Sequence, residues 1–138
     1  MQRKIISIFL IIAMVLTMTP VKAYAGGGIS QIQIGFSTML DATYDQSGSG
    51  WSWVAATKTF TLSGNISDRI MFYGEDEINF VAGENVSSNY IHYGDGTLNI
   101  IRGNLTVNAT SGDAIYANKL VVKDAISLQK HQMILHVE

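Results

Sequence analysis

Two stretches of this chain repeat one pattern. Residues 69–83 read RIMFYGEDEINFVAG, residues 89–103 read NYIHYGDGTLNIIRG, and they align without a gap at an offset of 20. Tyr73 falls on Tyr93, Gly74 on Gly94, Ile78 on Leu98, Asn79 on Asn99, Phe80 on Ile100 and Gly83 on Gly103. A unit this short, made of alternating strands punctuated by glycine, cannot bury its apolar face alone. It must stack on copies of itself.

Four segments carry one strand pattern: residues 59–64, 77–83, 97–103 and 119–124, with starts 18, 20 and 22 residues apart. Each alternates two large apolar residues with smaller or polar ones and then turns. A second strand family lies between them, in which Met71, Tyr73, Ile91, Tyr93, Ile115 and Ala117 alternate with Phe72, His92 and Tyr116. In a parallel β-helix each repeat is one coil, and equivalent residues stack about 4.8 Å apart. Phe60, Ile78, Leu98 and Leu120 then form one internal column, and Leu62, Phe80, Ile100 and Val122 another. A β-sandwich uses similar strands but does not account for a constant internal order of strand, glycine, asparagine, strand. A leucine-rich repeat lacks both its leucine spacing and its helical return here. The expected fold is all-β: a short right-handed parallel β-helix, a solenoid of about four coils with an N-terminal strand and hairpin cap. In that cap Ile32, Ile34 and Phe36 mark one strand, residues 41–50 a loop, and Trp51 and Trp53 share the inner face of a hairpin that returns through Phe60 and Leu62.

The chain has 138 residues, no cysteine, one proline, thirteen glycines and a formal charge of −2. That fits one small domain. Without cysteine there is no disulfide framework and no thiolate metal site. Near-neutral charge supplies no electrostatic footprint for nucleic acid. Gln2-Arg3-Lys4 followed by the apolar residues 5–16, then Pro20 and Ala23-Tyr24-Ala25, reads as an export signal cleaved after Ala25. The apolar run is too short to span a bilayer, for which about 20 residues are needed. The expected organisation is a signal peptide over 1–25, a leader strand and loop over 26–50, coils over 51–127 and an irregular or truncated tail over 128–138. The mature protein is expected to be secreted or held at the cell surface, with no membrane contact after cleavage.

Residues 50–64, GWSWVAATKTFTLSG, resemble the opening of repeat domains in exported proteins of Gram-positive bacteria, which read G-W-x-W-D-x-x-T-K-T-L-T-L-x-G and continue into β-helical coils. Residues 97–123 are similar to coils of the same group, and also to a related secreted family of carbohydrate-binding β-helices with calcium. The resemblance covers residues 50–127 and implies the β-helix fold, export and an extracellular glycan as partner. Val54 stands where that family has Asp, so any role of that Asp is absent here. Family members continue through more coils, so the chain reads as a shortened member.

Two groups of side chains carry candidate chemistry. Glu75 and Asp95 sit one coil apart at matching positions, so their carboxylates are expected about 5–6 Å apart, from the inter-strand spacing. Oxygen ligands from two coils suit calcium, which accepts loose geometry; a solvated acidic turn is the alternative. Phe72, His92 and Tyr116 fall at matching positions and are expected to point outward as a strip for sugar rings. Aromatic ladders that merely pack the sheet are the competing explanation. Asn65, Asn85 and Asn104 follow glycines at one repeat position and suggest an amide ladder at a turn.

No base faces the acids at a recognisable spacing, since Arg69, Arg102, Lys119 and Lys123 are scattered. The favoured expectation is therefore a non-catalytic module that binds extracellular carbohydrate or acts as a surface scaffold. It requires no cofactor, with calcium possible. The alternatives are a pectate-lyase-like enzyme and a non-functional fragment of a longer surface protein. An uncapped last coil also suggests self-association.

Overall fold

The computed structural model describes residues 28–37, 39–110, 112–123 and 129–130. The expected signal peptide with its cleavage after Ala25, and most of the tail 128–138, lie outside the described residues. The strands are β1 (Ile29–Ile34), β2 (Leu40–Asp41), β3 (Gln46–Gly48), β4 (Trp51–Val54), β5 (Thr59–Leu62), β6 (Ile66–Gly74), β7 (Glu77–Ala82), β8 (Val86–Arg102), β9 (Leu105–Val107), β10 (Ile115–Val122) and β11 (Gln129–Lys130).

The chain winds as a short parallel β-helix of about three turns. Four levels of strand enclose three windings, which reconciles this with the four repeat segments. Strand pairing divides the coil into three faces. On the first, β5, β7, the second half of β8 and the end of β10 run parallel. On the second, residues 86–88 pair with β9, and β9 with β11. On the third, β6, the first half of β8 and the start of β10 run parallel.

The N-terminal end is closed by antiparallel strands. β1 covers β6, with Ile32 opposite Phe72 and Ile34 opposite Ile70, and β2 lies outside it. β4 covers β5, with Trp53 opposite Phe60, and β3 lies outside that. The return from β4 is a single 3-10 turn, Ala55–Thr57, ended by Lys58 in the left-handed region at φ 48°. Two details differ from expectation. The first strand stops at Ile34, because Gly35 turns the chain at φ 66° and leaves Phe36 81 % exposed. The expected loop holds β3, anchored where the Trp53 indole N–H donates to the Ala42 carbonyl at 2.8 Å.

Inside, the large apolar residues stack in register. Ile78, Leu98 and Leu120 form one column, as expected. Phe80 pairs with Ile100, and Ile100 with Val122, but Val122 lies on the last level and is 46 % exposed, so it is not internal as expected. Phe60, however, stacks on Phe80 rather than Ile78, and Leu62 on Ala82 rather than Phe80. The first-face offset is 20 there too, so the two columns containing Phe60 and Leu62 are corrected by one inward position.

The third face differs more. Ile70, not Met71, pairs with Ile91, and Met71 pairs with His92. The offset is 21 on this face and 20 on the first, because the turn after β6 holds one residue more than its counterpart in β8. A one-residue slip exchanges the two sides of a strand. Ile70 and Phe72 therefore face inward with Ile91 and Tyr93, and Phe72 is 2 % exposed. Every buried side-chain nitrogen or oxygen among the described residues has a hydrogen-bond partner, as burial without one is costly.

At the turns, Asn85 adopts φ 56° and its Oδ1 accepts a hydrogen bond from Asn104 Nδ2 at 3.1 Å. Asn65 does not continue that amide pair; its Oδ1 accepts from the Ser87 backbone N–H at 2.9 Å.

Candidate functional site

The outward parity of the third face gathers rings and polar groups. Gln33, Met71, His92 and Tyr116 form one row across β1, β6, β8 and β10. Arg69 and Tyr90 are neighbours in the next row. Ile70, Ile91 and Ile115 alternate with these residues and bury, which is what holds the set outward.

His92 and Tyr116 stack, with ring centroids 4.8 Å apart and planes 21° from parallel. The Tyr90 hydroxyl lies 2.7 Å from His92 Nδ1, and the two rings are 5.8 Å apart. The His92 and Tyr116 rings lean over Gly94. A methyl group there would sit 3.1 Å from His92 Nε2 and 3.3 Å from Tyr116 Cε1. In the next row, beside Tyr90, Arg69 Nε donates to the Gly35 carbonyl at 3.1 Å. Its guanidinium lies 4.3 Å from the centre of the Phe36 ring.

Partial burial holds the His92 imidazole below its ordinary value, against the pull of Asp95. The ring is therefore neutral at neutral pH. Burial raises the Tyr90 phenol, with the negative charge of Asp113 and then Tyr116 adding to it and Arg69 opposing. Tyr90 thus stays protonated at neutral pH.

Of the three aromatic candidates, the structure brings His92 and Tyr116 together and separates Phe72 from them. Phe72 belongs to the core, with its ring 5.3 Å from Phe60, 6.0 Å from Tyr93 and 6.5 Å from Trp53. The extra residue in the turn after β6 is the reason. Met71 takes the outward place instead.

Glu75 and Asp95 are both exposed at the corner between the third and first faces. Both add negative potential at the Tyr93 hydroxyl, behind the larger effect of burial. Asp76 between them is tied inward: its carboxylate pairs with Lys58 and its carbonyl accepts from the Tyr93 hydroxyl. Among the described residues, no three His, Asp or Glu side chains converge as a metal site.

Sequence reasoning missed Tyr90, Arg69 and Phe36. For the first two a signal was present. Tyr90 shares parity with His92, and a charged Arg69 on a half-buried strand fixes its own side as the outer one. Phe36 carried no such signal, since the turn at Gly35 breaks the alternation.

No family model, curated protein or solved structure matches this chain.

Proposed function

We propose that the chain is a non-catalytic, secreted or cell-surface β-helix module that binds extracellular carbohydrate on the outer side of its third face. The observation that carries this reading is the stacked His92–Tyr116 pair continued by Tyr90, on a side of the sheet that the core does not use. A sugar offers apolar C–H faces and a rim of hydroxyls. Tyrosine and histidine match it with a ring body and a polar tip. The resemblance of residues 50–127 to coils of exported repeat proteins, and of residues 97–123 to a secreted carbohydrate-binding family, supports the same reading, as do the cationic start and short apolar run of residues 2–16. A non-catalytic role is favoured by the state of two basic groups, since Lys58 is paired with Asp76 and Arg69 Nε is engaged by the Gly35 carbonyl. Glu75 and Asp95 are the proposed accessory calcium ligands.

The test is a glycan array, followed by pull-down with insoluble polysaccharides, with and without calcium. Tyr116→Ala and His92→Ala are expected to abolish retention while leaving the circular dichroism spectrum unchanged. Retention that survives both substitutions, or no retention by a folded chain, sinks the proposal and leaves the rings as sheet packing. Release of ultraviolet-absorbing unsaturated products from a uronate polymer would move the chain to the lyase class.

A further inference from the structure

We infer that the glycan taken by this face carries anionic groups, carboxylates or sulfate esters, and that Arg69 selects them. This rests on the carbohydrate-binding reading above and specifies its ligand.

Arg69 projects from the same side of the sheet as the ring row and is the cross-strand neighbour of Tyr90. Its guanidinium is held on two counts. Nε is engaged by the Gly35 carbonyl, and Cζ sits over the Phe36 ring, 4.3 Å from its centre. Fixing the group in advance removes much of the ordering entropy that a long side chain loses on binding. The two terminal amino groups are left over: among the described residues they make no hydrogen bond and no ion pair. The nearest acid in sequence, Asp68, is turned back on the chain, with Oδ1 accepting the Arg69 backbone N–H at 2.8 Å. A planar guanidinium with free terminal N–H groups matches two oxygens of one carboxylate or sulfate.

The placement favours a sugar substituent over a free anion. Arg69 is close enough to Tyr90 for its charge to act on the phenol, and Tyr90 is bonded to His92. A saccharide against the His92–Tyr116 pair therefore carries its ring substituents toward Arg69. The free side of Phe36 extends the apolar surface beyond it. Neither bulk charge nor the local field supplies this selectivity: the chain carries a formal −2 overall, Asp113 acts on the Tyr90 phenol more strongly than Arg69 does, and Asp95 acts on His92, so the preference has to come from direct contact with the Arg69 fork. An ion pair built on one residue against that background is also screened by salt. The competing explanation is that the Arg69–Phe36 contact only staples the turn after β1 to β6.

The experiment compares three polymers against the full chain in the presence of a chelator: polygalacturonate, the same polymer fully methyl-esterified, and dextran sulfate. Affinity electrophoresis or calorimetry gives the binding constants, and circular dichroism checks each variant. The wild type is expected to prefer the acid over its ester by about tenfold or more, since a charge-assisted bidentate contact is worth at least that factor. Arg69→Gln should erase the preference. Arg69→Lys, which keeps the charge and loses the planar fork, should retain part of it. Stronger binding of dextran sulfate, also lost in Arg69→Gln, supports the inference and assigns the group to sulfate.

Equal binding of acid and ester overturns the inference while carbohydrate binding stands. An acid preference that persists in Arg69→Gln overturns the role of Arg69. Binding of none of these polymers overturns it too, and the glycan array then decides whether the broader proposal survives. If Arg69→Gln fails to fold, the wild-type comparison and Arg69→Lys still decide.

Discussion

The molecule holds two sets of aromatic rings, one inside the winding and one outside, and their geometries are nearly the same. Inside, Phe60 lies 5.3 Å from both Phe72 and Phe80, edge-on to the first and stacked on the second. Outside, His92 lies 4.8 Å from Tyr116 and 5.8 Å from Tyr90. Ring distance does not distinguish core from surface. The polar atoms do. The inner Tyr93 sends its hydroxyl to a backbone carbonyl, that of Asp76, and is fully buried. The outer Tyr90 shares its hydroxyl hydrogen bond with another side chain of the same surface, His92 Nδ1. One set is closed by the backbone, whereas the other is closed only against itself.

The largest expected contrast is in stability. Phe72→Ala should cost about 3–5 kcal/mol, the range for removing a buried aromatic ring. Tyr116→Ala should cost below about 1 kcal/mol, the scale of an exposed cross-strand pair. Urea denaturation measures both, and equal losses would erase the distinction between the two sets.

A smaller effect sharpens the inner side. Gly96 packs directly against the Tyr93 ring and the Asp76 carbonyl, leaving no room for a side chain. Gly96→Ala is expected to cost about 1–3 kcal/mol by overpacking. Tyr93→Phe should lose about 1 kcal/mol through its hydroxyl bond. A neutral Gly96→Ala would show that this corner is looser than the structure has it.

The smallest effect belongs to the outer set and depends on pH. The folded His92 imidazole gives up its proton more readily than in the unfolded chain. Below the unfolded value, about 6.5, the unfolded chain binds more protons. The stability linked to His92 is thus complete above that pH and declines as pH falls toward the folded value. His92→Gln should flatten that part of the stability profile. A profile unchanged by the substitution would show that His92 has no protonation-linked role in folding.

Much of the winding was legible because alternation and repeat agreed on the first face. Ile78, Leu98 and Leu120, and likewise Phe80, Ile100 and Val122, stack as the repeat implied. The third face was misread for a specific reason. The shared Tyr-Gly of residues 73–74 and 93–94 pulled the alignment to an offset of 20. The strand itself carried the better signal, since Arg69, Met71 and Tyr73 share one parity and an arginine does not enter an apolar interior unpaired. Reading parity strand by strand would have placed Phe72 inside and added Tyr90 to His92. The Phe36–Arg69 contact was beyond the sequence, because it depends on where a left-handed glycine sends the chain.

The extra residue after β6 shows how the coil accommodates changes in length: corners absorb much of the difference, with a single irregularity inside the first-face pairing between Phe80 and Val81. The corner between β9 and β10 does this on a larger scale. Leu105 follows its partner Val86 by 19 residues, whereas Ile115 follows Ile91 by 24, so that corner is five residues longer than the one a level earlier. Gly112 in that corner has open space around it, and Asp113 beside it is near Tyr90. Foreign peptide grafted there would hang beside the outer rings without unwinding the spring, which makes this bend a natural handle for re-engineering the surface.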